Sequence, residues 1–399
     1  MTLDGISHIS PYDAYPLPLP FPDALSEFKT EIGGMSAQQA RGSQASAVTK
    51  SGTNEFHGDL FEFVRNDLFN ATSYFAAVDP ATGKKVHSSL KRNQFGGTIG
   101  GPVIKNKLFF FGGYQGTTIR QDSRDQRQFV PTAAMLAGDF TTFASPACAG
   151  RPIMLKAPFV DNRISPALFS PLALKVVERI PKTMNPCGEI TFGSKTLEDH
   201  GQFVAKIDYQ LSDKHSLFGR HMYSRIDGPS AFKFTPDNPL NAGNDVKARA
   251  HAFTAGSTYL LSTTTVNAFR LSFTRTDLLT QSPPYFDLQE LGAKVYSGYT
   301  PKIAKLNVTS GFQLPGNGRR KIPTDLYQLS DDLSMSRGTH QFGFGGRLAE
   351  ARTNVAVQTP APPTFNFSGT FTGLGLADFL LGRPSDFTQA QGTYIYTRA

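Results

Sequence analysis

Residues 202–211 show the plainest two-residue period in the chain. Phe203, Ala205, Ile207, Tyr209 and Leu211 occupy the odd positions, while Gln202, Lys206, Asp208 and Gln210 lie among the even ones. Side chains at i and i+2 share one face of a strand, so this segment predicts a strand with one apolar and one polar face. A turn at "SDKH" leads into "SLFGRHMYSRI", which makes a hairpin. The same unit recurs. "NQFGGTIGGPVI" sets Phe95, Ile99 and Val103 on one face, with Gly97 and Gly101 between them. Gln94, Gly96, Thr98 and Gly100 make the other face, "KNK" turns the chain, and "LFFFGGYQGTTIR" returns. Three adjacent phenylalanines cannot all point one way, so Phe110 and its neighbours Phe109 and Phe111 are expected to be split between faces or to sit at the membrane interface. A third pair, "ARAHAFTAGSTYLL" and "VNAFRLSFTRT", carries Phe269, Leu271 and Phe273 on one face. A fourth, "LYQLSDDLSMS" and "HQFGFGGRLAEA", carries Phe342, Phe344 and Leu348.

The connections are unequal. Turns inside each pair are short, whereas 119–201, 227–247, 277–325 and 351–375 read as long connections. Long structureless loops are uncommon in compact soluble domains. If strands run up and down, all short turns lie at one end and all long loops at the other. A strand crossing hydrocarbon at a tilt needs about 9–11 residues with every backbone group paired. Alternating segments near that length, short turns and long loops together describe an outer-membrane barrel. A soluble sandwich or barrel also alternates, as would a β-solenoid or adhesin. Sandwich strands are usually shorter, however, and rarely come as four long hairpins separated by such loops. The expected class is therefore all-β: a transmembrane antiparallel barrel portion, a curved open sheet of about nine or ten strands.

The first 55 residues differ. "PYDAYPLPLPFP" predicts an extended linker, since its prolines suit neither a helix nor a central strand. "PDALSEFKTEI" starts a helix or a strand after a Pro–Asp turn, and "SQASAVTKSG" gives a short strand ending in a Ser–Gly turn.

Composition agrees with this reading. Hydrophobic residues make up 39% and charged ones 18%, with 37 Gly and 27 Pro, too aromatic for disorder and too rich in breakers for helices. Mean hydropathy is −0.27, as in a soluble protein, because only alternate residues would face lipid. Trp is absent, which leaves 13 Tyr and some of the 33 Phe for the membrane interfaces. The net charge of +8 admits an anionic partner. The basic residues are scattered, and "GNGRRK" at 316–321 reads as a solvated loop, so no nucleic-acid partner is expected. No apolar run reaches the roughly 18 residues of a membrane helix. "MTLDGISHIS" lacks the basic and apolar regions of a signal peptide.

The chain carries no nucleophile elbow, P-loop, HExxH or EF-hand pattern. "GFGGR" at 343–347 is a glycine-bearing strand, and His57 in "HGD" a polar strand start. His215 and His221 flank a turn without a third ligand. Asn70, Asn307 and Asn366 match the Asn-x-Ser/Thr pattern without consequence in a bacterial envelope. No catalytic, cofactor-binding or metal residue is assigned, no cofactor is expected, and the chain does not read as an enzyme. Cys148 and Cys187 lie in one Pro-rich segment. They form either a loop disulfide, in an oxidising compartment, or two separate thiols.

The segments "LDGI", "PDALSEFKTEI", "AVTKSGTNEFHGDLFEFVRND", "KRNQFGGTIGGPVIKNKLFFFGGYQG", "VPTAAMLAGDF" and "NRISPALFSPLALKVVERIP" resemble, in order, the Oar-like TonB-dependent outer-membrane receptors. "KSGTNEFHG" followed by "RNQFGGTIGGP" is the specific core of the likeness. The resemblance implies that 1–52 are the C-terminal part of a plug domain and 53–399 the N-terminal portion of the barrel. It implies placement in the Gram-negative cell outer membrane, lipid as a partner, and energised uptake through the TonB complex. The substrate would be a small molecule, peptide or glycan that the sequence does not identify, nor does it identify the residues that bind it. An envelope structural or adhesion barrel without transport is the alternative. The chain departs from the family in lacking a signal peptide, a TonB box, the start of the plug and a second barrel half, and "GSQAS" replaces the usual paired glycines before "AVTKSG". It ends at "GTYIYTRA" in mid-strand. Such receptors have about 22 strands, so a fragment is expected, with two unpaired edges and no transport of its own.

Overall fold

The computed structural model describes residues 1–9, 17–32, 43–72, 74, 76, 78, 82–85, 87–296, 302–358, 362–390 and 393–398. The chain opens with four short strands, β1 (Thr2–Leu3), β2 (Ile6–Ser7), β3 (Leu25–Ile32) and β4 (Ser43–Thr49). Seven longer strands follow: β5 (His57–Asn66), β6 (Ser89–Ile104), β7 (Leu108–Phe129), β8 (Glu189–Ser212), β9 (His215–Gly228), β10 (Asp245–Ser262) and β11 (Thr265–Gln281). Short β12 (Lys305–Val308) and β13 (Gln313–Leu314) precede long β14 (Arg320–Arg337) and β15 (His340–Val357). Then come β16 (Thr364–Phe367), β17 (Asp386–Thr388) and β18 (Thr393–Arg398).

Ten of these strands form one antiparallel sheet in the order β18-β15-β14-β11-β10-β9-β8-β7-β6-β5. Long strands pair with their neighbours in sequence, as hairpins require, and the sheet does not close: β5 and β18 are its edges. The four short turns, 105–107, 213–214, 263–264 and 338–339, all fall at one end, and the long connections at the other. Three of those connections are shorter than the sequence pattern implies, and the fourth, 358–392, is longer than the expected 351–375. β7 runs on to Phe129 and β8 starts at Glu189, so the loop is 130–188 rather than 119–201. Beyond the apolar band the strands stay paired but carry polar side chains outward. Arg120 bonds to Asp199 at 2.6 Å and Arg127 to Glu189 at 2.5 Å across the β7–β8 ladder. Alternation therefore ceases while pairing continues. "GNGRRK" is likewise only partly loop, because Arg320 and Lys321 open β14, half-buried and paired with β11 and β15.

The strands alternate as the sequence predicts. Arg220, Met222 and Ser224 are buried on one face of β9, and Val204 and Lys206 on the same face of β8. Ile207, Phe203, Phe269, Leu271, Phe342, Phe344 and Leu348 are exposed on the other. The Phe triplet divides: Phe111 pairs across from buried Lys206 on the inner face, whereas Phe110 pairs with outward Ile207.

Against the inner face lies the N-terminal sheet, ordered β2-β1-β4-β3, with β1 and β4 parallel. "PDALSEFKTEI" resolves as a 3₁₀ turn (Pro22–Ala24) leading into strand β3. Of the Pro-rich linker, residues 10–16 lie outside the described residues, and 17–21 have no regular structure. Phe21, Ala24, Phe111, Val204, Met222 and Ala252 form the apolar contact between this sheet and the wall.

The largest apolar core lies among the long loops. Residues 130–180, 286–314 and 365–381 bury Phe140, Phe159, Phe312, Phe367 and Phe379 together. Phe379 meets Phe312 and Phe367 edge-on at 5.1 and 5.4 Å. Short helices α1 (Ala133–Leu136), α2 (Pro146–Ala149), α3 (Pro171–Val177) and α4 (Gly375–Leu380) sit here, with the sheet β13-β12-β16-β17. Asn307 and Asn366 face each other across β12 and β16, 2.6 Å apart, so both serve an amide ladder. Cys148 and Cys187 are joined, with Cα atoms 5.2 Å apart. Closing a 39-residue separation contributes about 4 kcal/mol on the chain-entropy model.

Candidate functional site at the inner wall

The N-terminal sheet is held to the wall by buried charge. Residues 3–6, "LDGI", form a two-residue hairpin with both central residues at positive φ, Asp4 at +51° and Gly5 at +84°. That turn type suits an Asp–Gly pair. It aims the Asp4 carboxylate at the wall. Asp4 Oδ1 accepts from the Thr49 amide (2.8 Å) and Thr49 Oγ1 (3.0 Å), which ties the hairpin to β4. Asp4 Oδ2 stands 3.1 Å from Arg220 Nε, with both side chains almost wholly buried. Arg220 Nη2 donates to Thr254 Oγ1 at 2.6 Å.

Lys206, directly opposite Arg220 in the β8–β9 ladder, adds a second clamp. Its Nζ donates to Ser51 Oγ (2.9 Å) and the Thr49 carbonyl (3.3 Å). It also lies 3.6 Å from Asp208. Further along the wall, Gln202 Nε2 donates to the Leu19 carbonyl and Gln328 Nε2 to the Ser7 carbonyl, both at 2.9 Å. Bonds from four wall strands, β8, β9, β10 and β14, thus converge on a small sheet or on the residues that anchor it.

The "KSGTNEFHG" and "NQFGGTIGGP" segments meet at this seat. A Cβ at Gly52 would stand 2.3 Å from the Phe110 carbonyl and 2.6 Å from that of Gly101, so only glycine passes there. Asn54 accepts from the Asn106 amide at 2.7 Å, which fastens the connecting segment to the "KNK" turn. At Gly113 a Cβ would stand 2.8 Å from the Phe21 ring. The missing side chain at Gly113 thus makes room for Phe21 against the inner wall. His57 is exposed and contacts Thr53 Oγ1 at 3.3 Å. Asp4, Lys206 and Arg220 went unassigned in the sequence. The Asp–Gly turn was the one local signal for them, and it does not name the partner strand.

His8, beside the hairpin, is buried, and its Nε2 donates to the Pro18 carbonyl at 2.8 Å. Loss of hydration on burial pulls its pKa from 6.5 down to about 4, against the smaller opposing effect of that bond. No group of three His, Cys, Asp or Glu side chains among the described residues could hold a metal.

Comparison with known proteins places this architecture. Residues 48–399 match the model of the outer membrane beta barrel domain. The chain belongs to that family. Over 119 residues it is 33% identical to the TonB-dependent transporter Oar of Myxococcus xanthus, a match covering 28% of this chain and 11% of that protein. The outer-membrane transporter YddB of Escherichia coli superposes on the whole chain with a TM-score of 0.52 at 9% identity, and 45% of YddB is covered. The ferric enterobactin receptor PfeA of Pseudomonas aeruginosa gives 0.45 at 10% identity, over 88% of this chain and 41% of its own. The chain thus spans less than half the length of each. The likeness to YddB shows the fold, and these relatives are transporters and receptors.

For this outer-membrane barrel chain the outer face is the lipid face, the short turns are periplasmic and the long loops extracellular. From Phe203 to Leu211 the apolar row of β8 spans about 27 Å along the strand, which at the tilt of such barrels covers roughly 20 Å of the ~25 Å band. Aromatic rings bound it. Tyr114, Phe203, Tyr223 and His251 are successive register partners at its outer edge. His215 and Tyr259, 5.1 Å apart, lie toward the periplasmic edge. His221 stacks on Phe253 at 4.3 Å and 13°. In a chain without Trp, histidines complete the girdle.

Three outcomes follow. Arg220→Ala leaves Asp4 buried without its cation and should cost about 3–5 kcal/mol; Asp4→Asn with Arg220→Met should recover much of it in a double-mutant cycle read by chemical denaturation. Because His8 is harder to protonate in place than when free, the seated sheet should loosen as pH falls from 6.5 toward about 4. The loss is of the order of 3 kcal/mol. Proteolysis of the first 50 or so residues should accelerate over that window, and not in His8→Gln. Ile207→Arg on the lipid face should lower folding stability in vesicles by about 2–4 kcal/mol, while Gln210→Arg changes it by less than about 0.5.

Proposed function

We propose that this chain is the lumen-and-wall portion of a TonB-coupled uptake receptor. Residues 1–52 are the last part of a plug domain and 53–399 the first ten strands of its barrel. The substrate class is open among small molecules, peptides and glycans. The TonB complex acts on the plug from the inner membrane. The observation that carries this reading is the way the N-terminal sheet is seated. It contacts the wall through a small apolar patch and a handful of charged and amide bonds, centred on Asp4–Arg220 and Lys206–Ser51. Such a seat fixes one orientation, yet it can be exchanged for water when the plug is pulled. The likeness to Oar supports the TonB coupling.

The test follows the seat itself and needs no knowledge of the substrate. Ser51→Cys is placed at the contact, and its labelling by a membrane-impermeant maleimide is followed in cells making the whole receptor. Labelling should rise when the TonB complex is intact and energised, and fall to background when the TonB box is deleted. Equal labelling in both would remove transport and leave a static envelope or adhesion barrel.

A further inference from the structure

The inner face of β5 and β6 carries two arginines without a carboxylate partner among the described residues. Arg65 and Arg92 are direct register partners in the β5–β6 ladder. That sets their Cβ atoms about 5 Å apart on one face, where like charges repel. Both side chains are exposed. The acids nearest in the register are already engaged. Asp67 accepts from the Leu90 amide at 3.0 Å and faces His87. Glu198, in the same row beyond Ile119, meets His200 at 3.0 Å. The face is that of the lumen, because Phe61, on the same side of β5, packs on Phe21 of the N-terminal segment with ring centroids 6.0 Å apart. Arg65 lies four residues beyond Phe61, about 13 Å toward the extracellular end. The pair therefore stands above the seated sheet.

What surrounds the pair narrows the ligand. Phe63, between Phe61 and Arg65 on that face, is 58% exposed, an open ring in the lumen. Gln94, its register partner, donates through Nε2 to Gln115 Oε1 at 2.9 Å. Gln94 Oε1 then remains an acceptor and Gln115 Nε2 a donor. The backbone of β6 is committed to β5 on one side and β7 on the other, so it offers nothing to a peptide main chain. A sugar acid meets each of these groups. Its C–H face lies on Phe63, its hydroxyls bond to the two amides, and its carboxylate takes the guanidinium pair.

We infer that this wall binds an acidic glycan, a chain of uronic acids, with carboxylate held by Arg65 and Arg92 and a sugar ring against Phe63. The inference rests on the uptake role proposed above and gives its substrate a class. Repulsion between the arginines destabilises the free wall and is relieved when a carboxylate lies between them.

The test uses the whole receptor purified from outer membranes into mild detergent, with tetragalacturonate, its methyl ester and tetraglutamate as probes in calorimetric titrations. No TonB complex is present, so loss of binding and loss of the energised Ser51→Cys labelling are read separately. Wild type should bind tetragalacturonate at least tenfold more tightly than either the ester or tetraglutamate. Arg65→Gln with Arg92→Gln should abolish the preference for acid over ester, and Phe63→Ala should weaken both sugars about tenfold. Lys91→Gln, which removes a charge from the outer side of β6, should change neither. Arg92→Gln alone should raise the midpoint of thermal unfolding, because it removes a repulsion; a fall would make the pair structural and overturn the proposal. Equal binding of acid and ester, tetraglutamate bound as tightly as the sugar acid, or affinities untouched by the arginine substitutions would overturn it too.

Discussion

The structure depends on one constraint: in hydrocarbon a backbone N–H or C=O has no partner except another strand. Pairing each long strand with its sequence neighbours satisfies that demand across nine ladders, save along the open edges at β5 and at β15 with β18, and leaves side chains to alternate between two media. Everything polar on the inner row then needs its own solution. Where water does not reach, Arg220 and Lys206 find it in a carboxylate, hydroxyls and a carbonyl of the N-terminal sheet. The wall and the sheet inside it are therefore complementary in charge as well as in shape.

Buried ion pairs are a poor way to gain stability, since desolvation offsets most of the attraction, but they penalise any misplacement strongly. The Asp4 hairpin exploits the second property. Its carboxylate is fixed from within by Thr49 and from outside by Arg220, so the sheet has one seat. The apolar contribution at the same interface is modest, around Phe21, Ala24, Phe111 and Val204. Far more apolar surface is buried among the extracellular loops, where Phe140, Phe312 and Phe379 have neither lipid nor lumen to face and must pack on one another. Those loops consequently form a layer with its own sheet and helices.

The outer face shows the same economy of residue types. With Trp absent, Tyr, Phe and His share the positions at the membrane boundaries, and the stacking of His221 on Phe253 accounts for a histidine with no ligand role. A period-two pattern foresaw that face strand by strand, from Phe95 and Ile99 to Phe342 and Phe344, because lipid acts on every second residue and leaves a local record.

What the sequence determined alone was the set of hairpins, the faces of their strands, the end at which the loops gather and the family likeness. Each is a local matter, settled by side-chain period, turn chemistry or contiguous motifs. The lengths of β7 and β8 were not legible, since strands that leave lipid keep their ladders but lose their alternation. Nor was the core built by residues 130–180 with 286–314 and 365–381, whose apolar residues follow no period. The pairing of Asp4 with Arg220 was equally hidden, although the Asp–Gly turn was in plain view. A carboxylate's partner two hundred residues away is selected by how the sheet lies in the lumen. Only the folded wall brings that cation to it.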